Sequence, residues 1–260
     1  SKIINEGRFL LDTGFSTMQG YRATNEDAHL ISALPDLEKT HSLLAIFDGH
    51  AGGGASKYAS ENLVSIFCKT SWYKLYLNSK LKQIQMYEID KRNKSLTKGE
   101  GKMNQGKSNY NRNNKRQKNN SKGGKQDKSK DDNADNDDSY KSISKSFLYD
   151  TPEDQQLIAK AFNAAMHDLD TELRIVQTRS QHDAAASSSS NSDTSGTTVI
   201  CGLVTPSHIY SAWLGDSRLL VSTTSECVEM SEDHKPMNSL EKLRIIKAGG
   251  FVYANRVDGQ

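Results

Sequence analysis

The chain has 260 residues, which is enough for one large domain or two small ones. Its 34 basic and 32 acidic residues nearly balance, so the overall charge argues against a nucleic-acid-binding protein and against a protein for acidic ligands. Hydrophobic residues make up only 35% of the chain, which indicates that part of it never enters a core. No run approaches the roughly 18 uninterrupted apolar residues of a membrane span, so we expect no membrane association.

The first apolar block, from about residue 9 to residue 89, begins with strand patterns. Residues 14–18 are strand-like, and residues 41–47 form a nearly continuous apolar run of the length of a buried strand. Residues 53–67 then carry apolar side chains at helical spacing. This block therefore predicts strands followed by a helix.

A polar insertion separates this block from the rest of the chain. About residues 90–146 consist mainly of Lys, Asn, Ser, Gly and Asp, and they cannot bury enough apolar surface to offset the entropy of ordering them. We predict that this Lys/Asn/Asp-rich segment is a disordered insertion in a surface loop, in preference to a tail that binds nucleic acid or a partner. A short Ala/Ser loop is predicted at about residues 182–194.

The later block, residues 149–260, mixes helices and strands. Thr151-Pro-Glu-Asp154 predicts a helix start, because it offers a cap, a proline at the first helical position and acids in the first turn. Residues 197–205 and 209–222 predict strands, and Gly215-Asp216-Ser217 predicts a turn that divides the second of them.

A final helix is predicted from a capping box, Asn238-Ser-Leu-Glu241, to Ala248-Gly249-Gly250, where glycine can adopt the left-handed conformation. Helices that lie between pairs of strands indicate an α+β layered domain and not a strict βαβ alternation. Patterning alone leads no further than an α+β domain with a polar insertion.

Three acidic clusters lie at predicted strand ends or turns: Glu26-Asp27, Asp48-Gly49-His50 and Gly215-Asp216-Ser217. Carboxylates in such places suit hard divalent cations, which prefer oxygen ligands. Each cluster alone is weak evidence, because Asp-Gly turns are common for conformational reasons.

In chain order, these clusters and their neighbours resemble the successive signatures of the metal-dependent serine/threonine protein phosphatases, the type 2C class. The matching segments are Met18-Gln-Gly-Tyr-Arg22, Glu26-Asp27-Ala-His29, Phe47-Asp-Gly-His-Ala-Gly52, Ser195-Gly-Thr-Thr198, Gly215-Asp-Ser-Arg218, Asp233-His-Lys-Pro236, Glu241-Lys-Leu-Arg244, Ala248-Gly-Gly250 and Arg256-Val-Asp-Gly259. They cover every predicted ordered block and skip only the polar insertion and the Ala/Ser loop.

The resemblance implies an α+β fold in which two antiparallel sheets form a two-layer sandwich flanked by helices. On this basis residues 1–260 are expected to be the N-terminal part of a single phosphatase catalytic domain, with its C-terminal part missing. The family's later metal-binding aspartates would then be absent, so we expect the chain alone to be poorly active or inactive. The missing strands would expose sheet edges through which copies could associate.

The implied reaction is the hydrolysis of phosphoserine and phosphothreonine in proteins by a water that bridges two Mg²⁺ or Mn²⁺ ions. The resemblance assigns Asp48 as the carboxylate that bridges both metals and the Gly49 carbonyl as a further ligand. Glu26 and Asp27 are expected to orient metal-bound waters, and Asp216 is expected to hold a weaker third metal.

Three further residues take roles from the same resemblance. Arg22 matches the arginine that grips the phosphate, which suits a planar guanidinium that can pair with two oxygens at once. His50 matches the histidine proposed as the general acid for the departing alkoxide. Arg256 lies in a stretch that borders the substrate cleft in relatives.

Alternative functions stay open at this point. The chain could be a pseudophosphatase that binds phosphoproteins, or a scaffold whose polar insertion is the working part. Residues 49–54 have P-loop spacing, but Ala55 stands where the P-loop lysine should be. Phosphorylated proteins are the expected partners, nucleic acid is not, and the oligomeric state is open.

The cysteines bear on the compartment. The chain has 3 cysteines, none of which belongs to a CxxC pair, and this argues against a structural zinc site or a disulfide framework. We therefore expect an intracellular protein, in the cytoplasm or the nucleus.

Overall fold

The structure is a computed structural model that describes residues 2–4, 11–37, 40–103, 148–186 and 193–258. The chain divides into two compact units. The first comprises residues 1–81 and 148–260, and the second comprises residues 82–147.

Short strands and four helices make up the described residues. The strands are β1 (Lys2–Ile4), β2 (Thr13–Phe15), β3 (Ala28–Ala33), β4 (Ser42–Phe47), β5 (Gly49–His50), β6 (Gly196–Thr197), β7 (Val199–Val204), β8 (Ile209–Leu214), β9 (Leu220–Ser222), β10 (Cys227–Glu229), β11 (Val252–Tyr253) and β12 (Arg256–Val257). The helices are α1 (Gly54–Lys69), α2 (Ser71–Met103), α3 (Pro152–Ala186) and α4 (Ser239–Lys247).

The central sheet has four strands in the order β3-β4-β7-β8, and all neighbouring pairs are antiparallel. Its register pairs Ala28 with Phe47, Ala45 with Cys201, and Cys201 with Ala212. Two-stranded antiparallel ladders join β1 to β2, β5 to β6, β9 to β10 and β11 to β12. Because the strands alternate in direction, the end of β4 lies at the same edge as the starts of β3 and β7 and the end of β8.

The core lies between one face of the central sheet and two helices. Helix α1 packs against α3, β3 and β4, and its apolar stripe, which includes Leu63 and Phe67, is buried. The rings of Phe67 and Phe162 lie 4.8 Å apart between their centroids. Alternate residues of β4, such as Leu43 and Phe47, face this core and are fully buried. Each such side chain contributes about 1.5–3 kcal/mol through burial.

The opposite face of the sheet is apolar and open. It borders a cavity of about 520 Å³ lined by residues of β2, β3, β4, β7 and the 218–221 stretch. Ile46 on this face is 49% exposed, whereas its neighbours on β4, Ala45 and Phe47, are buried against the helices. The alternation along β4 therefore distinguishes a covered face from an uncovered one.

The α+β class predicted from the sequence is confirmed, since helices pack on antiparallel sheets. Helix α3 begins at Pro152 as predicted and runs to Ala186, so the first part of the predicted Ala/Ser loop is helical, and residues 187–192 lie outside the described residues. Residues 90–103, predicted to be disordered, continue helix α2, and the remainder of that insertion, 104–146, lies outside the described residues. Among the described helices, none combines the length and the apolar character that crossing a bilayer requires.

The predicted capping box of α4 is wrong, although the helix itself is present. The side-chain amide of Asn238 donates to the carbonyl of Asp233 at 2.5 Å, and no side-chain cap bond forms. The Glu241 carboxylate accepts two bonds from the Arg244 guanidinium instead of reaching back to the cap. The predicted helix end is confirmed, because Gly249 has a φ of +89°.

Candidate active site

The acidic residues singled out in the sequence converge at one end of the central sheet. Asp27 directly precedes β3, Asp48 directly follows β4, and Asp216 lies in the turn after β8. The pKa of the Asp48 carboxyl is raised, first because of its partial burial and then because of the negative charges of Asp27 and Asp216. The nearby charges of His50 and Arg22 oppose this rise. These five side chains therefore share one electrostatic environment.

Two loops line a cavity of about 420 Å³ at this end of the sheet. One loop supplies residues 18, 19 and 22–27, and the other supplies residues 48–51. Six of the eight residues predicted for the site line this cavity: Arg22, Glu26, Asp27, Asp48, Gly49 and His50. Asp216 is outside this lining but acts on Asp48 through its charge. Arg256 lies on β12, is exposed, and is likewise outside this lining.

Gly49 is required by a close approach of two backbones. A Cβ atom at this position would overlap the carbonyl oxygen of Glu26 and would lie 2.8 Å from the Ser56 Oγ. The Ser56 hydroxyl donates to the same Glu26 carbonyl at 2.5 Å. The glycine and the serine together hold the acidic loop against the end of β4, because only a residue without a side chain allows that distance.

Thr198 connects the Asp48 segment to the turn that carries Asp216. Its backbone N–H donates to the carbonyl of Asp48 at 2.9 Å, and its Oγ1 accepts from the Asp48 N–H at 3.3 Å. The same Oγ1 lies 2.7 Å from the Ser217 Oγ. Gly215, with a φ of +105°, leaves the space that the Thr198 methyl occupies, since a Cβ there would lie 2.7 Å from Cγ2. Thr198 therefore holds two acidic segments in one arrangement.

His50 is fixed by strand pairing. Strand β5 pairs with β6 so that His50 lies opposite Gly196, and a Cβ on Gly196 would overlap the imidazole ring. The chain then turns through Ala51 and Gly52, which have φ values of 55° and 116°, into helix α1. Non-glycine residues adopt this left-handed conformation at a cost of about 1–2 kcal/mol, so the tight reversal after His50 is strained.

Arg22 lies in a loop that the side chain of Gln19 stabilises. The Gln19 side-chain amide donates to the carbonyls of Arg22 at 2.8 Å and Ala23 at 3.0 Å. The arginine is exposed beside the cavity, and its charge favours the ionised form of Asp48. A planar guanidinium in this position can pair with two oxygens of a tetrahedral anion.

The donor chemistry of this end of the sheet suits a hard divalent cation. The candidate ligands are carboxylates and a backbone carbonyl, the oxygen donors that Mg²⁺ and Mn²⁺ prefer. The pKa of Asp48 is raised first by burial and then by the charges of Asp27 and Asp216, and a bound cation would favour its ionised form. In the part of the chain that the structure describes, however, no three His, Cys, Asp or Glu side chains are already arranged around a metal position. The residues therefore fit the cation in chemistry and charge without forming an assembled cage.

Several residues that position the site were not predicted from the sequence. Ser195-Gly-Thr-Thr198 was recognised as a segment without a role, and its roles are now visible: Thr198 joins two acidic segments, and Gly196 makes room for His50. Ser195 accepts a bond from the N–H of Ala55 at 2.8 Å and so caps the start of α1. The available signal for Thr198 was a hydroxyl residue directly before the buried strand β7. Gly196 became apparent only through its pairing with His50.

Comparison with known proteins defines the class of the chain. The family model described as "Protein phosphatase 2C" matches residues 11–129 and 106–260. The chain therefore belongs to the protein phosphatase 2C family.

Two similar relatives are "Probable protein phosphatase 2C 21" of Arabidopsis thaliana and "Protein phosphatase 1A" of Bos taurus. The first is 26% identical over 251 residues, which are 95% of this chain and 56% of the relative. The second is 27% identical over 247 residues, which are 95% of this chain and 43% of the relative. The chain thus spans about half the length of the curated relatives it matches.

A solved structure described as a serine-threonine phosphatase 2C from Toxoplasma gondii has a similar fold. The TM-score is 0.50 at 19% identity, and the match covers 91% of this chain and 55% of that chain. At this identity the likeness supports the fold alone.

Proposed function

We propose that the protein to which this chain belongs is a metal-dependent protein-serine/threonine phosphatase, that is, a phosphoric monoester hydrolase acting on phosphoproteins. One observation carries the proposal: Asp27, Asp48 and Asp216 lie at the same end of the central sheet, near enough for the charges of Asp27 and Asp216 to act on Asp48, with Arg22 and His50 beside Asp48. Family membership supports the same reaction class. The proposal concerns the whole protein, because this chain spans about half the length of its relatives.

The acids would hold two Mg²⁺ or Mn²⁺ ions, with Asp48 and the Gly49 carbonyl as direct ligands and Glu26 and Asp27 orienting water. Asp216 would hold a third ion more weakly. When bound, such ions acidify water and offset the charge that builds on a phosphoryl group. Because no three of the described side chains are already arranged around a metal position, we expect this chain by itself to bind the ions weakly and to be poorly active.

The protein's own side chains would act on the phosphate and on the leaving group. Arg22, exposed at the cavity, would bind two phosphate oxygens and so orient the phosphorus for attack. His50, held by its packing on Gly196, would donate a proton to the departing serine or threonine oxygen. Asp27 would accept a hydrogen bond from the attacking water. Arg256, on a separate ladder, would contact the substrate outside the cavity.

Asp48→Asn tests the proposal. In this chain, Mn²⁺ at about 100 times its dissociation constant should raise the melting temperature by roughly 5–10 °C, because a ligand that binds only the folded state stabilises it. The variant should lose this rise, and its stability without Mn²⁺ should not fall, because the substitution removes a charge that burial and then Asp27 and Asp216 disfavour. Asp168→Asn, an exposed carboxylate on α3, is the matched control and should respond as the parent does.

The complete protein then provides the activity readout. Asp48→Asn should abolish Mn²⁺-dependent release of phosphate from a phosphoserine peptide, whereas Asp168→Asn should retain it. Full activity of the Asp48 variant would refute the assignment of this carboxylate. A complete parent protein that binds the phosphopeptide but releases no phosphate would favour a pseudophosphatase.

A further inference from the structure

A buried ionic cluster lies away from the candidate active site. This stem cluster consists of Lys80, Asp150 and Asp154. The Lys80 Nζ lies 2.8 Å from a carboxylate oxygen of each aspartate, and it also donates to the carbonyl of Tyr149 at 3.0 Å. The side chains of Lys80 and Asp150 are fully buried and that of Asp154 is 3% exposed. A lysine buried so completely needs this full set of acceptors.

Hydrogen bonds complete the surroundings of Asp150. Its carboxylate accepts bonds from the hydroxyls of Tyr76 at 2.9 Å, Thr205 at 2.7 Å and Tyr210 at 2.9 Å. Burial alone would raise the pKa of Asp150, but the bonds from Lys80 and Thr205 outweigh it and the pKa is lowered. The stem cluster therefore ties α2 to the start of α3 and to the turn between β7 and β8.

The stem cluster joins the two places where the second unit leaves the first. Residue 81 is the last residue of the first unit before the 82–147 segment, and residue 148 is the first one after it. Lys80 thus lies in the segment that leads out of the first unit, and Tyr149 and Asp150 lie in the segment that returns to it. These two segments are called the stems below. Within the first unit, these stems are held together by ionic bonds of 2.8 Å.

The stems meet at the sheet end opposite the acidic site. Thr205 follows β7 and His41 precedes β4, whereas Asp48 follows β4. The His41 Nε2 lies 2.6 Å from the Tyr76 hydroxyl, which itself bonds to Asp150. Since β4 has six residues and a strand rises about 3.3 Å per residue, the stem cluster and Asp48 are roughly 20 Å apart along the sheet.

We propose that the stem cluster is a clasp that makes the first unit independent of the 82–147 segment. With its stems closed by buried ionic bonds, the first unit folds and keeps its acids in place whatever sequence connects residues 81 and 148. A buried ion pair often contributes little net stability compared with apolar packing, and its attested benefit is to fix one arrangement. Here the arrangement that it fixes is the juxtaposition of two chain segments. The segment is accordingly replaceable, because its two attachment points in the first unit are joined whatever sequence connects them.

The first test replaces residues 82–147 with a six-residue Gly/Ser linker and introduces Lys80→Met into both the parent and the shortened chain. The shortened chain should unfold cooperatively within about 5 °C of the parent, because loop length changes stability only slowly. Lys80→Met should lower the melting temperature by roughly 10 °C in both backgrounds, because it leaves buried carboxylates unpaired. Lys57→Met, at an exposed position of α1, is the matched control and should change it little.

Two results of this experiment would overturn the proposal. One is a shortened chain that does not fold, and the other is a Lys80→Met variant that behaves like Lys57→Met. A second experiment does not depend on deleting residues: the chain is co-expressed as two polypeptides, residues 1–120 and 121–260. The two pieces should purify as a complex, since β4 pairs with β7 and α1 packs on α3 across the cut. A clasp predicts that Lys80→Met weakens this complex more than Lys57→Met does, and equal effects of the two variants would contradict it.

Discussion

Thr198→Val tests whether a single hydroxyl holds the acidic segments together. Valine has nearly the shape of threonine but lacks Oγ1, so the variant loses the bonds to the Asp48 N–H at 3.3 Å and to the Ser217 Oγ at 2.7 Å. The backbone bond from the residue 198 N–H to the Asp48 carbonyl remains. Each neutral hydrogen bond contributes about 0.5–1.5 kcal/mol net, so the free energy of unfolding should fall by about 1–3 kcal/mol.

Urea unfolding followed by circular dichroism measures this loss, and titration calorimetry measures Mn²⁺ binding. We expect roughly tenfold weaker Mn²⁺ binding, because residues that orient metal ligands typically matter by that amount or more. Thr178→Val is the control, since it loses one exposed intrahelical bond, to the Arg174 carbonyl at 2.8 Å. If Thr198→Val matches this control in both stability and Mn²⁺ affinity, the positioning role is refuted.

A double-mutant cycle sharpens the same test. Ser217→Ala removes the partner hydroxyl from the other side of the 2.7 Å contact. If the two hydroxyls act on each other, the combined variant should lose less stability than the sum of the single variants, by about 0.5 kcal/mol or more. Additive losses would mean that the two side chains act independently.

Two further predictions follow from packing and from buried charge. Gly49→Ala should lower the free energy of unfolding by about 1–3 kcal/mol, because the new methyl group meets the rigid Glu26 carbonyl. Gly14→Ala, on a strand position with open space around it, should cost much less in the same urea titration.

The lowered pKa values of Asp150 and Asp154 mean that their ionised forms stabilise the fold. This contribution to stability should be complete above about pH 4, the ordinary pKa of aspartate, and should be lost as the pH falls further. Urea midpoints measured from pH 7 down to pH 2.5 check this, and a midpoint that stays constant down to pH 2.5 would contradict it.

The sequence predicted elements where local signals agreed with tertiary packing. The apolar run that ends at Phe47 became β4, and the proline-led acidic turn became the start of α3 at Pro152. The capping box of α4 was wrong because the Asn238 amide finds a different acceptor, the Asp233 carbonyl, five residues earlier. A local motif specifies its own hydrogen bonds only when no tertiary partner competes for them.

The helical conformation of residues 90–103, which were predicted to be disordered, was missed for a different reason. The polar composition of residues 90–103 correctly argued against burial. A helix, however, can also be stabilised by contacts between exposed side chains. Along this stretch Lys94 pairs with Asp90 at 2.6 Å, and Arg92 lies 3.9 Å from Glu88, both at i,i+4 spacing. Such pairs favour an exposed helix by a few tenths of a kcal/mol each, so a polar segment need not be irregular.

Part of the candidate site could be predicted, and part could not. The acids at strand ends were visible because the residues themselves carry the signal. The bond between Thr198 and Asp48 spans 150 positions of sequence, and Lys80 resembles any solvated lysine until its two aspartates, more than 65 residues away by the numbering, are folded around it. Such long-range partners become apparent only with the topology of the sheet.

The cluster of negative charges at the end of the central sheet has a consequence for the protein's susceptibility to proteolysis. The Thr198 and Ser56 hydroxyls hold the Asp48 and Glu26 backbones in place, and the pKa of Asp48 is raised by burial and then by the charges of Asp27 and Asp216. If this end holds the divalent ions proposed above, their chelation should loosen it and make the 18–27 loop an early site of proteolytic cleavage. A divalent salt in the buffer would then slow this cleavage, and more so for an ion that binds more tightly.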